Sequence, residues 1–110
     1  RLEKELGQLC NLETGWDDST ASKPKPAAIK QASMLISQLD DNVLSSCTLF
    51  PSNDSGIYLQ GKLTNGKLSI FMDGEVMAYI VKGKDSKLSS TAKVNADTIN
   101  YLNQGLKMYV

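Results

Sequence analysis

Apolar residues along the chain follow two different periods, and the switch between them divides the molecule. Leu2, Leu6, Leu9 and Leu12 recur at steps of four, three and three, one stripe of a helix whose outer face carries Glu3, Lys4 and Glu5. A helix over 2–12 is the prediction, weakened locally by Gly7. Residues 13–25 read as a loop: Gly15, Asp17, Asp18, Ser19 and Thr20 are turn formers, and Pro24 and Pro26 stop a helix from running through. Pro26 suits the first turn of the next helix, where its missing N–H has no partner to lose. Ile29, Ala32, Leu35, Ile36 and Leu39 then mark the apolar face of a helix over 26–40. Asp40, Asp41 and Asn42 end it, and acidic residues at a helix C-terminus favour fraying or a sharp turn there.

From Cys47 the period is two. Cys47–Phe50 is a short first strand, closed by Pro51 and the turn-rich Ser52-Asn53-Asp54-Ser55-Gly56. Residues 57–63 set Ile57, Leu59 and Leu63 against Tyr58, Gln60 and Lys62, and residues 67–72 alternate again. Asn65-Gly66 and Asp73-Gly74 are strong hairpin signals, because both positions of each pair tolerate positive φ. Two-residue turns there place Leu63 opposite Leu68 and Ile70 opposite Met77, and gather Leu59, Leu68, Ile70, Met72, Tyr79 and Val81 on one face. The third strand of the meander runs from Glu75 to Val81. Residues 82–95, with Lys82, Lys84 and Lys87, read as a solvated loop. A last helix starts near Asn95 or Asp97 and carries Ile99, Leu102 and Leu106, limited by Gly105. The expected fold is a single α+β domain over 1–110: two N-terminal helices, an antiparallel meander of three to four strands, and a C-terminal helix.

The second sheet face changes the functional picture. In this register Phe71 lies opposite Gln60 and Val76, with Tyr58 diagonal to it and Ala78 and Ile80 continuing the face. A one-sided sheet would show polar residues there. The C-terminal helix is expected to cover this face. The alternative is an open surface at Tyr58, Phe71 and Val76 that docks a partner protein or a second copy.

Composition removes most chemistry. The chain has no histidine, so Ser-His-Asp and Cys-His nucleophiles and His-containing zinc sites are excluded, and two cysteines cannot build a four-thiolate site. No phosphate loop or dinucleotide fingerprint occurs. The expectation is a protein that is not an enzyme, with no cofactor and no metal. Twelve basic residues balance twelve acidic ones, so no overall field draws nucleic acid or an anionic membrane. Lys82, Lys84 and Lys87 lack interleaved aromatics and read as solvated. No apolar run approaches the roughly 20 residues that span a bilayer. With no secretory pattern at the start, and with Cys10 and Cys47 read as reduced thiols, the expected compartment is the cytoplasm.

Trp16 is the only tryptophan. It is expected to plug one end of the core, and the sharper alternative makes it an anchor of a partner surface. Asp17, Asp18 and Ser19 read as a turn. As a second possibility for function, Trp16, Asp17 and Asp18 line a pocket for a nucleotide or an ion.

Leu12-Glu13-Thr14-Gly15-Trp16-Asp17, the proline-led helix with Ala28, Ile29, Ala32 and Leu35, and Gly56-Ile57-Tyr58-Leu59 followed by Leu68-Ser69-Ile70 and Asp73-Gly74 resemble a known pattern. The chain looks like a group of small, largely uncharacterised bacterial and phage α+β proteins with a Leu-x-x-Gly-Trp-Asp loop, a proline-led helix and a β-meander. The resemblance covers roughly residues 6–81. It implies an association with conflict genes, such as antitoxins, immunity proteins and anti-defence factors, and no reaction or cofactor. Together these readings predict a protein-interaction module that binds and restrains another protein. A small-ligand binder and a structural homo-oligomer are the alternatives.

Overall fold

The computed structural model describes residues 1–12 and 23–110. In order, the elements are α1 (Leu2–Cys10), α2 (Pro26–Gln38), α3 (Asp41–Leu44), β1 (Cys47–Pro51), β2 (Ile57–Leu63), β3 (Gly66–Met72), β4 (Met77–Lys82), β5 (Lys87–Ala92) and α4 (Ala96–Leu106). The strands form one antiparallel sheet in the order β1-β2-β3-β4-β5. The α+β class holds, and the meander has five strands rather than three or four. The extra strand, β5, replaces part of the predicted loop over 82–95. Its sequence Lys-Leu-Ser-Ser-Thr-Ala hides little from water, and backbone pairing with β4 from Met77↔Ala92 to Lys82↔Lys87 holds it in place.

Helix α1 buries Leu2 and Leu9, as its stripe predicts, and rests against β1. It also protects that edge of the sheet: the Leu49 N–H donates to Glu5 Oε1 at 3.1 Å, and the Arg1 guanidinium donates to the Leu44 carbonyl at 2.8 Å. Helix α2 begins at Pro26 as N1 and turns Ala28, Ala32, Leu35 and Ile36 inward. It stops at Leu39, whose backbone is extended, and the acidic residues beyond open the short helix α3 instead of fraying. Asn95 caps α4 through a reciprocal pair: its Oδ1 accepts the Thr98 N–H at 2.9 Å, and Thr98 Oγ1 accepts the Asn95 N–H at 3.1 Å.

Both predicted turns move by one residue or more, and both registers shift by two. The β2–β3 connection is Thr64-Asn65, with Leu63 opposite Gly66, Gly61 opposite Leu68 and Leu59 opposite Ile70. Neither Asn65 nor Gly66 has positive φ, so the hairpin does not use the backbone that the Asn-Gly pair permits. The β3–β4 connection is the four-residue loop Asp73–Val76, with Met72 opposite Met77. Gly74 there takes φ 101°. Asp73 Oδ1 accepts the Glu75 and Val76 N–H groups at 2.8 and 2.9 Å, and Gln31 Oε1 accepts the Gly74 N–H at 2.8 Å. The N–H groups of Val76 and Glu75 hold the Asp73 carboxyl below its ordinary pKa.

A shift of two leaves every side chain on its predicted face. Leu49, Ile57, Leu59, Leu63, Leu68, Ile70, Met72, Met77, Tyr79 and Val81 form the sheet's half of one core, and Leu35, Val43, Ile99, Leu102 and Leu106 are among the residues of the helical half. Cys47 belongs to this core as well. Its thiol donates to the Val43 carbonyl at 3.2 Å, and burial pushes its pKa up to about 11, so it stays a neutral packing residue. Cys10 and Cys47 are unbridged.

Candidate functional site

Helix α4 lies on the core side. Its Ile99, Leu102 and Leu106 are fully buried there, and a Cβ at Gly105 would stand 2.8 Å from the Leu88 side chain, which shares the face of Val81. The expected cover over the second sheet face is therefore absent among the described residues. After the short link Lys93–Asn95 the helix packs on the face to which Leu88 and Ala92 point, where its apolar stripe completes the core.

The open face is ordered in three cross-strand rows. Phe50, Tyr58, Phe71, Ala78 and Thr91 form one end, and Thr48, Gln60, Ser69, Ile80 and Ser89 run across the middle. At the other end Lys62 faces Lys67, Lys67 faces Lys82, and Lys82 faces Lys87. Tyr58 and Phe71, diagonal in the predicted register, are direct neighbours with ring centroids 4.7 Å apart and planes at 42°. Phe50, which sequence reasoning left out of the site, extends the row onto β1 and is 44% exposed. Between the aromatic and lysine ends lies a shallow concavity of about 540 Å³, bordered by Phe50, Gln60, Lys62, Lys67, Ile80 and Lys82.

Of the residues predicted to form a site, the structure brings Tyr58 and Phe71 together. Val76 falls in the Asp73–Val76 loop outside β4, so Ala78 takes the place opposite Phe71. Trp16, Asp17 and Asp18 lie outside the described residues. The Asn53–Gly56 stretch is a turn: Ser52 Oγ accepts the Gly56 N–H at 3.0 Å, and Ser55 takes φ 78°.

The lysine row is electrostatically unusual. None of the five strands carries an acidic residue, so the balanced overall charge conceals a segregated one. Both ion pairs among the described residues belong to Arg1; Asp85 of the β4–β5 turn borders the lysine end of the face but forms an ion pair with none of the four lysines. Like charges directly opposite on neighbouring strands destabilise a sheet. Replacing Lys82, which sits between Lys67 and Lys87, by glutamate converts two repulsive pairs into attractive ones. Lys82→Glu is expected to stabilise the fold by about 0.5–1 kcal/mol in urea denaturation at low salt, and a gain that fails to shrink at 1 M NaCl would contradict an electrostatic origin.

Among the described residues no helix is long and apolar enough to cross a membrane, and no three His, Cys, Asp or Glu side chains gather as a metal site would require. No protein-family model, curated protein or solved structure matches the chain.

Proposed function

We propose that this chain is a non-enzymatic interaction module that binds and restrains another protein through the open face of its sheet. The observation that carries the proposal is the row Phe50–Tyr58–Phe71, which faces away from the helices on a surface where a one-sided sheet would be polar. Aromatic residues concentrate binding energy where a partner excludes water from them, and this row supplies three on adjacent strands. The Gly-Trp-Asp resemblance supports an association of such a module with antitoxins, immunity proteins or anti-defence factors of bacteria and phages. The chemistry of the chain agrees with binding rather than catalysis, since it has no histidine and its Cys47 thiol is buried and neutral.

Affinity capture from the native host, followed by titration of the purified partner, tests this. Phe50→Asp is the informative variant because the ring is half exposed on an edge strand, so a charge there is tolerated by the fold. Phe71 is less suitable: its ring packs on Tyr58 and fills the space a side chain at Gly56 would need. Replacing an aromatic anchor by a charge inside an interface costs roughly 2 kcal/mol or more, so binding is expected to weaken at least about 30-fold. An unchanged Kd with a folded Phe50→Asp protein would remove this face from the interface.

A further inference from the structure

We infer that the protein partner presents an acidic surface, with carboxylates seated on the Lys62–Lys67–Lys82–Lys87 row while its apolar side chains meet the aromatic row. The inference rests on the protein-binding reading above. Charge complementarity carries it. Four lysines stand in register on one end of the open face, no strand offers an acid to neutralise them, and the chain as a whole carries no net charge. The row is thus a local feature of this face rather than part of a generally basic surface. A second copy of the chain docked face to face would set one lysine-bearing sheet without acidic residues against another, with only Asp85 of the β4–β5 turn beside four lysines and Lys84 on each copy.

A single-stranded nucleic acid also offers anions and flat rings, and the geometry disfavours it. Tyr58 and Lys62 are four residues apart along β2, so the two rows lie about 13 Å apart. The row between them has Gln60 and Ser69 and no ring. Tyr58 and Phe71 already pack on each other, and the only arginine of the chain, Arg1, bonds instead to Glu5 and the Leu44 carbonyl. Phosphate tracks are usually built with aromatic platforms interleaved among the cations and with guanidinium forks. A folded protein of ordinary footprint spans both rows at once.

The test uses fluorescence anisotropy with labelled 20-residue poly-glutamate and labelled 20-nucleotide oligo(dT), at 50 and 200 mM NaCl. It compares the wild type with the double variant Lys67→Glu/Lys82→Glu, its fold verified by thermal melting, and both are also titrated with the captured partner. The wild type is expected to bind poly-glutamate more tightly than oligo(dT), to lose affinity with salt, and to lose at least tenfold in the double variant, with a similar or larger loss for the captured partner. Tighter binding of oligo(dT), no poly-glutamate binding at 50 mM NaCl, or an undiminished double variant overturns the inference. Should Phe50→Asp lose the captured partner while the double lysine variant keeps it, the protein-binding reading stands and the acidic partner falls. If both variants keep it, both fall.

Discussion

Ile70→Ala is expected to lower the unfolding free energy by about 3–4 kcal/mol, and Phe50→Ala by less than about 1 kcal/mol. The contrast follows from where the two side chains stand. Ile70 is at the middle of β3, the central strand, opposite Leu59 and Tyr79, and is fully buried beneath the helices. Removing its branched end leaves a cavity whose walls cannot close, because the sheet fixes one side and α2 the other. Phe50 lies on the opposite face of an edge strand and is 44% exposed, so truncation gives up little buried area and opens no enclosed cavity. Against a total stability of about 5–15 kcal/mol for such a domain, the first change is a large fraction and the second is minor. In thermal melts the Ile70 variant should fall by about 12–25 °C. Urea denaturation at matched slope separates lost stability from an altered unfolded state. Equal losses for the two variants would mean that both faces of the sheet are covered, and the open-face interface would have to be abandoned.

The sidedness behind that contrast was legible in the amino-acid sequence, because alternation assigns a face by parity alone. Both predicted registers were two residues away from the real ones, and a shift of two preserves parity. What parity cannot supply is which residues meet. Lys62 and Lys67 come face to face only because the turn is Thr64-Asn65, and Lys67 meets Lys82 only because the next loop has four residues. In the predicted register these lysines would have been diagonal, and the row would not have been seen. The sequence shows Lys82, Lys84 and Lys87 as a local cluster, whereas the row is a property of the paired sheet.

Two further features escaped for different reasons. Strand β5 alternates weakly, since only Leu88 and Ala92 turn partly inward, and its Ser-Ser-Thr centre depends on backbone pairing that leaves no hydrophobic signature. The apolar stripe of α4 was plain, but a stripe says only that a helix must cover something. Which side it covers follows from the packing of that stripe with the buried face of the sheet, beside Leu88, which the stripe alone does not announce. The partner-binding residues were therefore half legible: Tyr58 and Phe71 follow from alternation, while Phe50 joins them only through its pairing with Tyr58.

The Asn65-Gly66 pair, read from sequence as a positive-φ turn, leads to the second large effect. Gly66 is the first residue of β3, and it is glycine because other groups crowd it. A Cβ there would lie 2.8 Å from the Lys82 carbonyl oxygen and 2.8 Å from Tyr109 Cδ1. Neither can retreat easily. The Lys82 carbonyl belongs to a β4 residue flanked by β3 and β5. Tyr109 is buried, its hydroxyl pairs with Ser86 Oγ at 2.9 Å, and its carbonyl accepts the Asn65 N–H at 2.8 Å, so the C-terminal residues strap the β2–β3 and β4–β5 turns together. Gly66→Val is accordingly expected to destabilise by about 2–3 kcal/mol through overpacking. Asn65→Ala is expected to stay within about 0.5 kcal/mol, because no positive φ is lost. Removing Tyr109 and Val110 relieves one of the two clashes, so the cost of Gly66→Val should be smaller in the truncated chain, a non-additivity that a double-mutant cycle measures. The opposite pattern, a costly Asn65→Ala and a tolerated Gly66→Val, would mean that the pair forms a positive-φ turn after all. The register would then move by two, and the lysine row that depends on it would come apart.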